Sequence, residues 1–338
     1  MLDKRMSTDA LDNRQNLRIL AIFLIVQFTG LLIATQVYNG LPVQSVKALS
    51  SQAAPQYTPL TFILTYAGIF TILTLVLIFL MRSGGSKILL VFEALAVLAG
   101  SFFLFTWLAG LLPFYFPQIV VFGNASFQLL VPAAAALLIL AIKYKVPRSR
   151  NFVTIVSVIG IGMTIGFFIG FTLGLAFMAV LAIYDYIAVF VTKHMVVMGQ
   201  AALNMNLALM VVTNEGEALP KSSLTKEQLK AYNVQRPFLF KNYKSTMKEL
   251  ENRKLVPVLM PRGLGNGDMA VPLMLAVAAY TQFLNFTISL VIIIGAAFGL
   301  IVTFGILKKY RRMLPAIPPL LFGIIVALGV YFLISALV

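Results

Sequence analysis

FVTIVSVIGIGMTIGFFIGFTLGLAFMAVLAIYDYIAVFVT, residues 152–192, is a 41-residue stretch holding one charged side chain, Asp185. One bilayer crossing takes about 20 mostly apolar residues. The stretch is therefore twice one crossing, and it reads as two membrane helices, 152–170 and 173–193, joined by a tight turn. A second long apolar run, 269–307, divides in the same way into 267–284 and 286–307. Cutting the rest of the chain at charges, proline clusters and glycine pairs adds spans at 17–37, 59–81, 88–112, 118–142 and 315–337. The fold class expected is an all-α membrane protein of nine transmembrane helices.

Composition agrees with this reading. Of 338 residues, 60% are hydrophobic and 11% charged, whereas soluble domains carry about 45–50% and about 25%. Soluble enzymes and nucleic-acid modules are excluded, although a net charge of +15 would suggest the latter in a soluble chain. There is no cysteine and one histidine, His194, so disulfides, thiolate chemistry and multi-histidine metal sites are excluded too.

The position of each charge tests the span count independently of hydropathy. Of 26 Lys and Arg residues, 25 fall on one side of the nine spans: at the N-terminus, in the second, fourth and eighth loops, and above all between Lys193 and Arg262; the other side has only Lys47. The positive-inside rule places the N-terminus in the cytoplasm and the C-terminus outside. Eight or ten spans would break the segregation. The first span exceeds the 7–15 apolar residues of a signal-peptide core and lacks a small-x-small cleavage site, so it reads as a retained helix. Trp107 and Phe114–Phe116 sit where an outer aromatic belt belongs.

Three portions follow: helices in 1–193, a basic cytoplasmic loop in 194–266, and helices in 267–338. The loop contains the one sizeable polar stretch, about 213–255, too short and too poor in apolar residues for a separate enzyme domain. Before it, HMVVMGQAALNMNLALMVV (194–212) is either an interfacial helix or a helix followed by a short strand. Gly162, Gly166, Gly170 and Gly174, four residues apart, suit close helix packing, with the last just past the turn.

An acid inside the membrane costs at least about 2.5–3.5 kcal/mol on insertion scales, which makes it a functional candidate. Three of the eleven acids lie in spans: Glu93, Asp185 and Asp268. No Lys or Arg falls deep in a span to pair with them, and Glu93, near Lys87, reads as a snorkelling or locally hydrogen-bonded acid. Asp185 lies about eight residues, or roughly 12 Å, from the basic end at Lys193. Asp268 opens the antiparallel seventh span in GLGNGDMAVP (263–272), so both acids reach similar depth. Two adjoining carboxyls share one proton more cheaply than they ionise together, and the pair then offers one acid and one base to a water and an amide. Gly263, Gly265 and Gly267 allow unusual torsions and close approach of a second chain.

These segments resemble a family. YDYIAVF (184–190) resembles the tyrosine-aspartate motif of the presenilin and signal peptide peptidase intramembrane aspartyl proteases. Gly265-Asn266-Gly267-Asp268 fits their GxGD motif, and Pro315-Ala316-Ile317-Pro318 resembles their Pro-Ala-Leu motif with Ile for Leu. All three stand in family order on spans six, seven and nine. Reading Gly263–Asn266 as the family's GLGD would place Asn at the catalytic position; the match of DMAVP to the stretch after the family aspartate favours Asp268. The inward N-terminus and outward C-terminus resemble presenilin, signal peptide peptidase having the opposite orientation.

The resemblance implies an intramembrane endopeptidase with Asp185 and Asp268 as the catalytic pair. Tyr184, Gly265, Gly267, Pro315, Ala316 and Ile317 would shape the substrate site. Substrates would be transmembrane helices, locally unwound and paired as a strand with Lys254–Met260 or with the backbone near Pro315. The chemistry needs water and no metal or organic cofactor, and nucleic acid is not a partner. Setting and partners are expected to be a prokaryotic cell membrane and no accessory subunit. The rival reading uses the same acids in a proton-coupled transporter or cation leak channel. A prepilin-type peptidase, also a GxGD enzyme, fits the span count poorly.

Overall fold

The computed structural model describes residues 2–40, 65, 68, 86–111, 130–146, 149–191, 207–220, 255–310 and 315–337. It divides into two units, Leu20–Val211 with Leu264–Val338, and Met1–Ile19 with Val212–Gly263. In chain order the elements are α1 (Leu2–Gly40), α2 (Ser86–Leu111), α3 (Leu130–Lys145), α4 (Arg150–Ile169), α5 (Phe171–Tyr186, continued by π-helical Ile187–Val191), β1 (Met210–Pro220), β2 (Leu255–Gly265), α6 (Asn266–Phe283), α7 (Phe286–Tyr310) and α8 (Ile317–Leu337). Among the described residues there are thus eight α-helices. Six stretches, in α1, α2, α4, α5, α7 and α8, are long and apolar enough to cross a membrane.

The 41-residue run breaks where its chemistry allows. Gly170 has φ 69° and ψ 157°, a conformation open essentially to glycine alone, so α4 ends and α5 begins across one residue. The Phe171 amide, an orphan donor of the new helix, donates to Gln282 Oε1 of α6 at 2.9 Å. The second long run turns at Leu284 (φ 52°), after which the Asn285 side chain accepts from the Thr287 amide at 2.8 Å and caps α7.

In the larger unit α6 is the central helix. Its residues Val271–Tyr280 are buried without interruption, as expected of a helix apolar all round. Around it stand α1, α4, α5 and α7. From α4, Gly162 and Gly166 admit the backbone of α6: a Cβ at either would lie 3.0 Å from the Ala270 carbonyl or 2.7 Å from that of Met274. From α1, Gln27 Nε2 donates to the Met269 carbonyl at 2.8 Å and Gly30 makes room for Leu273. From α7, the Ser289 hydroxyl donates to Ala276 O at 2.8 Å. Beyond this shell α2 packs on α4 through Gly100 against Gly160, and α8 on α7 through Gly323 against Gly295 and Gly299. Small residues and interhelical polar bonds are what helix association in lipid relies on.

In the smaller unit, most of β1 and β2 pair as a two-stranded sheet. Strand structure begins at Met210 and extends to Pro220, beyond the short strand expected to end by residue 212, while Leu207–Ala208 belongs to the larger unit. The expected span 59–81 apart from residues 65 and 68, the first residues of 118–142, His194 and Phe114–Phe116 lie outside the described residues. Trp107, half-buried, has partners within the protein: its indole donates to Thr164 Oγ1 at 2.9 Å and its ring centroid lies 4.7 Å from that of Phe167.

Candidate active site

Asp185 reaches the site from α5, in the turn before the helix widens into its π-helical end, and is 4% exposed. Its partners come from the N-terminus of α8. The first four amides of any helix have no intrahelical acceptor. Here they belong to Ala316, Ile317, Pro318 and Pro319, and proline has no N–H. Of the two that remain, Ile317 N–H donates to Asp185 Oδ2 at 3.2 Å, and Ala316 N–H lies near enough to act on the same carboxyl. The first helical bond follows at once, Leu320 N–H to Ala316 O at 3.2 Å. Pro315, Ala316 and Ile317 are all buried.

Asp268 is the third residue of α6. Its Oδ2 accepts the Gly265 amide at 3.2 Å, the N-capping use of an acid at this position, favoured by the positive end of the helix dipole. Four residues on, Pro272 has no N–H to offer the Asp268 carbonyl. The two carboxyls lie close enough for the charge of Asp185 to act on Asp268. Each is thus held at one helix N-terminus, and the charge of one bears on the other.

Of the two uses expected of the glycines, unusual torsion is not seen: neither Gly265 nor Gly267 has a positive φ. Gly265, at φ −65° and ψ 151°, would bring a Cβ to 3.1 Å from Asp268 Oδ2, whereas a Cβ on Gly267 would meet nothing within 4 Å. Gly265 makes room for the carboxyl, and Gly267 leaves open space beside it. Tyr184 is half-buried beside Asp185, while Tyr186 is exposed and packs on Phe190 at 4.9 Å.

Glu93 requires a correction. It is fully buried rather than snorkelling, and it has a cation: Lys143, expected in the fourth loop, stands buried in the last turn of α3 with its Nζ 2.7 Å from Glu93 Oε1 and Oε2. Its identity as a partner was hidden because a terminal lysine reads equally well as a topological charge. Asn266 was also missed. Its amide donates to Leu209 O at 3.2 Å and its Nδ2 to Ala208 O at 2.9 Å, while Oδ1 is buried with no partner. The sequence signal was a polar residue at the start of an apolar helix.

A solved presenilin family intramembrane aspartate protease is similar in fold, at a TM-score of 0.50 and 19% identity over 92% of this chain and 94% of that one. No curated protein matches the chain closely enough to serve as a relative. A family model described as signal-peptide peptidase, presenilin aspartyl protease matches residues 20–338. Residues 20–338 include both aspartates and all three motifs, and the chain belongs to the signal-peptide peptidase and presenilin family of intramembrane aspartyl proteases.

Proposed function

We propose that Asp185 and Asp268 are the catalytic pair with which this multi-pass membrane protease cleaves peptide bonds inside transmembrane segments. The observation that carries the reading is that these two carboxyls stand near enough for the charge of one to act on the other, each held by a backbone amide at a helix N-terminus. With one proton shared by the pair, the ionised carboxylate takes a proton from water as the water oxygen attacks the scissile carbonyl carbon. The protonated carboxyl gives its proton to the carbonyl oxygen, and return of a proton to the nitrogen releases amine and acid.

A helical substrate hides its carbonyls in its own hydrogen bonds, and lipid offers no replacement, so the substrate must unwind against protein. The open space at Gly267 supports a site for an extended chain there, with Pro315–Ile317 and Tyr184 placed around Asp185. The charge distribution supports nine spans with N-terminus inside and C-terminus outside, and a helical portion on each side of a cytoplasmic loop 194–266 supplying one aspartate. The setting we favour is a prokaryotic cell membrane, without accessory subunits.

The test uses purified protein and a single-span reporter peptide, with product masses read for the native chain, Asp185→Asn and Asp268→Asn. Cleavage inside the apolar segment, lost in both variants, is expected. Equal cleavage by the variants refutes the pair, and proton flux in sealed vesicles without new termini returns the transport reading.

A further inference from the structure

The buried Glu93–Lys143 pair has no part in the chemistry above, and its surroundings lead toward Asp268. Glu93 Oε1 accepts the Ala208 amide at 2.6 Å as well as Lys143. The Ala208 carbonyl, across the same residue, takes Asn266 Nδ2 at 2.9 Å and lies 3.3 Å from Thr154 Oγ1 of α4, and the next carbonyl, of Leu209, takes the Asn266 amide. Asn266 is the first residue of α6 and Asp268 the third. The apolar side of this segment is fastened in the same place, Leu207 packing with Leu89 one turn before Glu93 on α2. A short non-helical strand of backbone thus hangs between a buried carboxylate and the start of the helix that presents Asp268.

We propose that Glu93 is a positioning residue: by accepting the Ala208 amide it fixes residues 208–209, and through Asn266 it sets where α6 begins and where Asp268 stands. The role rests on Asp268 being catalytic. What matters is the acceptor at position 93; Lys143 compensates its charge in the protein interior, where an unpaired carboxylate would be costly. Arg150 and Tyr144 also feel the charge of Glu93.

The role of the acceptor separates from that of the charge in two double variants. E93Q/K143M keeps an acceptor of the same shape without a lone buried charge. E93L/K143M replaces the pair by apolar side chains, a change that buried ion pairs often tolerate in stability, and leaves the Ala208 amide without its acceptor. Both lose the same charges, so any effect on Arg150 and Tyr144 cancels between them. Steady-state cleavage of the reporter peptide and thermal unfolding in detergent are measured for each. We expect E93L/K143M to lose kcat by on the order of 10-fold to 100-fold, the size of a misplaced reacting group, with KM within about twofold, and E93Q/K143M to restore kcat.

Equal kcat in the two double variants overturns the proposal, whether both are active or both impaired. If E93L/K143M fails to fold, Asn266→Ala decides: a loss of kcat at unchanged KM supports the linkage, and native kcat overturns it. Asp268→Asn in the same assay keeps the two readings apart. Activity there removes the catalytic assignment itself, whereas an inactive Asp268→Asn beside a native E93L/K143M removes the positioning role alone.

Discussion

Pro318 and Pro319 show how much one residue type can decide. By removing two of four orphan amides at the start of α8 they leave Ala316 and Ile317 as the donors, and Ile317 is taken by Asp185 with Ala316 beside it. Replacing either aspartate by Asn keeps shape and removes the shared proton, so kcat should fall by about 10³-fold or more with the fold retained, checked by reporter cleavage and thermal unfolding. The pH dependence follows from the same pair. Below its lower apparent pKa both carboxyls are protonated and no base remains; above the higher one both are ionised and no acid remains. The kcat profile between pH 4 and 9 should be bell-shaped, and a monotonic one would count against a shared proton. Gly265→Ala should lower kcat by crowding Asp268 Oδ2, while Gly267→Ala, facing open space, should leave the unfolding temperature unchanged.

Helix pairing is where glycine matters at the scale of elements. Gly166 faces the Met274 carbonyl and Val277 of α6 with no room for a methyl group, whereas a Cβ on Gly305 of α7 would meet nothing within 4 Å. Gly166→Ala should destabilise by about 1–3 kcal/mol as an overpacked contact. Gly305→Ala should be neutral or add about 0.5–1 kcal/mol through lower helix entropy cost. Thermal unfolding of the two variants in one detergent makes the comparison, and equal shifts would contradict the close α4–α6 contact. Gly162, Gly166, Gly170 and Gly174 share a spacing in the sequence but not a task. The first two face α6, the third is the turn itself, and Gly174 lies in the first turn of α5 with Leu275 Cδ1 at 3.3 Å from a Cβ position.

For the whole molecule, the absence of cysteine makes topology directly measurable. Single variants Ala10→Cys and Val338→Cys, treated in intact cells with an impermeant thiol reagent, should label at 338 and not at 10. The reverse pattern would invert the orientation read from the charges. Most of β1 and β2 belongs to the smaller unit, while Ala208 and Leu209, which hold Asn266, belong with it to the larger one.

Hydropathy and charge placement were sufficient for the membrane class, for most helix bounds among the described residues and for Asp185 and Asp268 as candidates, because an apolar run of given length and an acid within it carry their cost wherever the chain folds. The break at Gly170 was readable to within a few residues for the same reason. Tertiary structure alone decided which amides hold Asp185, that Gly265 serves space rather than torsion, and that Lys143 belongs to Glu93 and not to a loop. Each of these joins groups from separate helices, Lys143 to Glu93 across 50 residues and Ile317 to Asp185 across 132. Pattern along one helix reports which face is apolar, but not which polar group of another helix will stand opposite it.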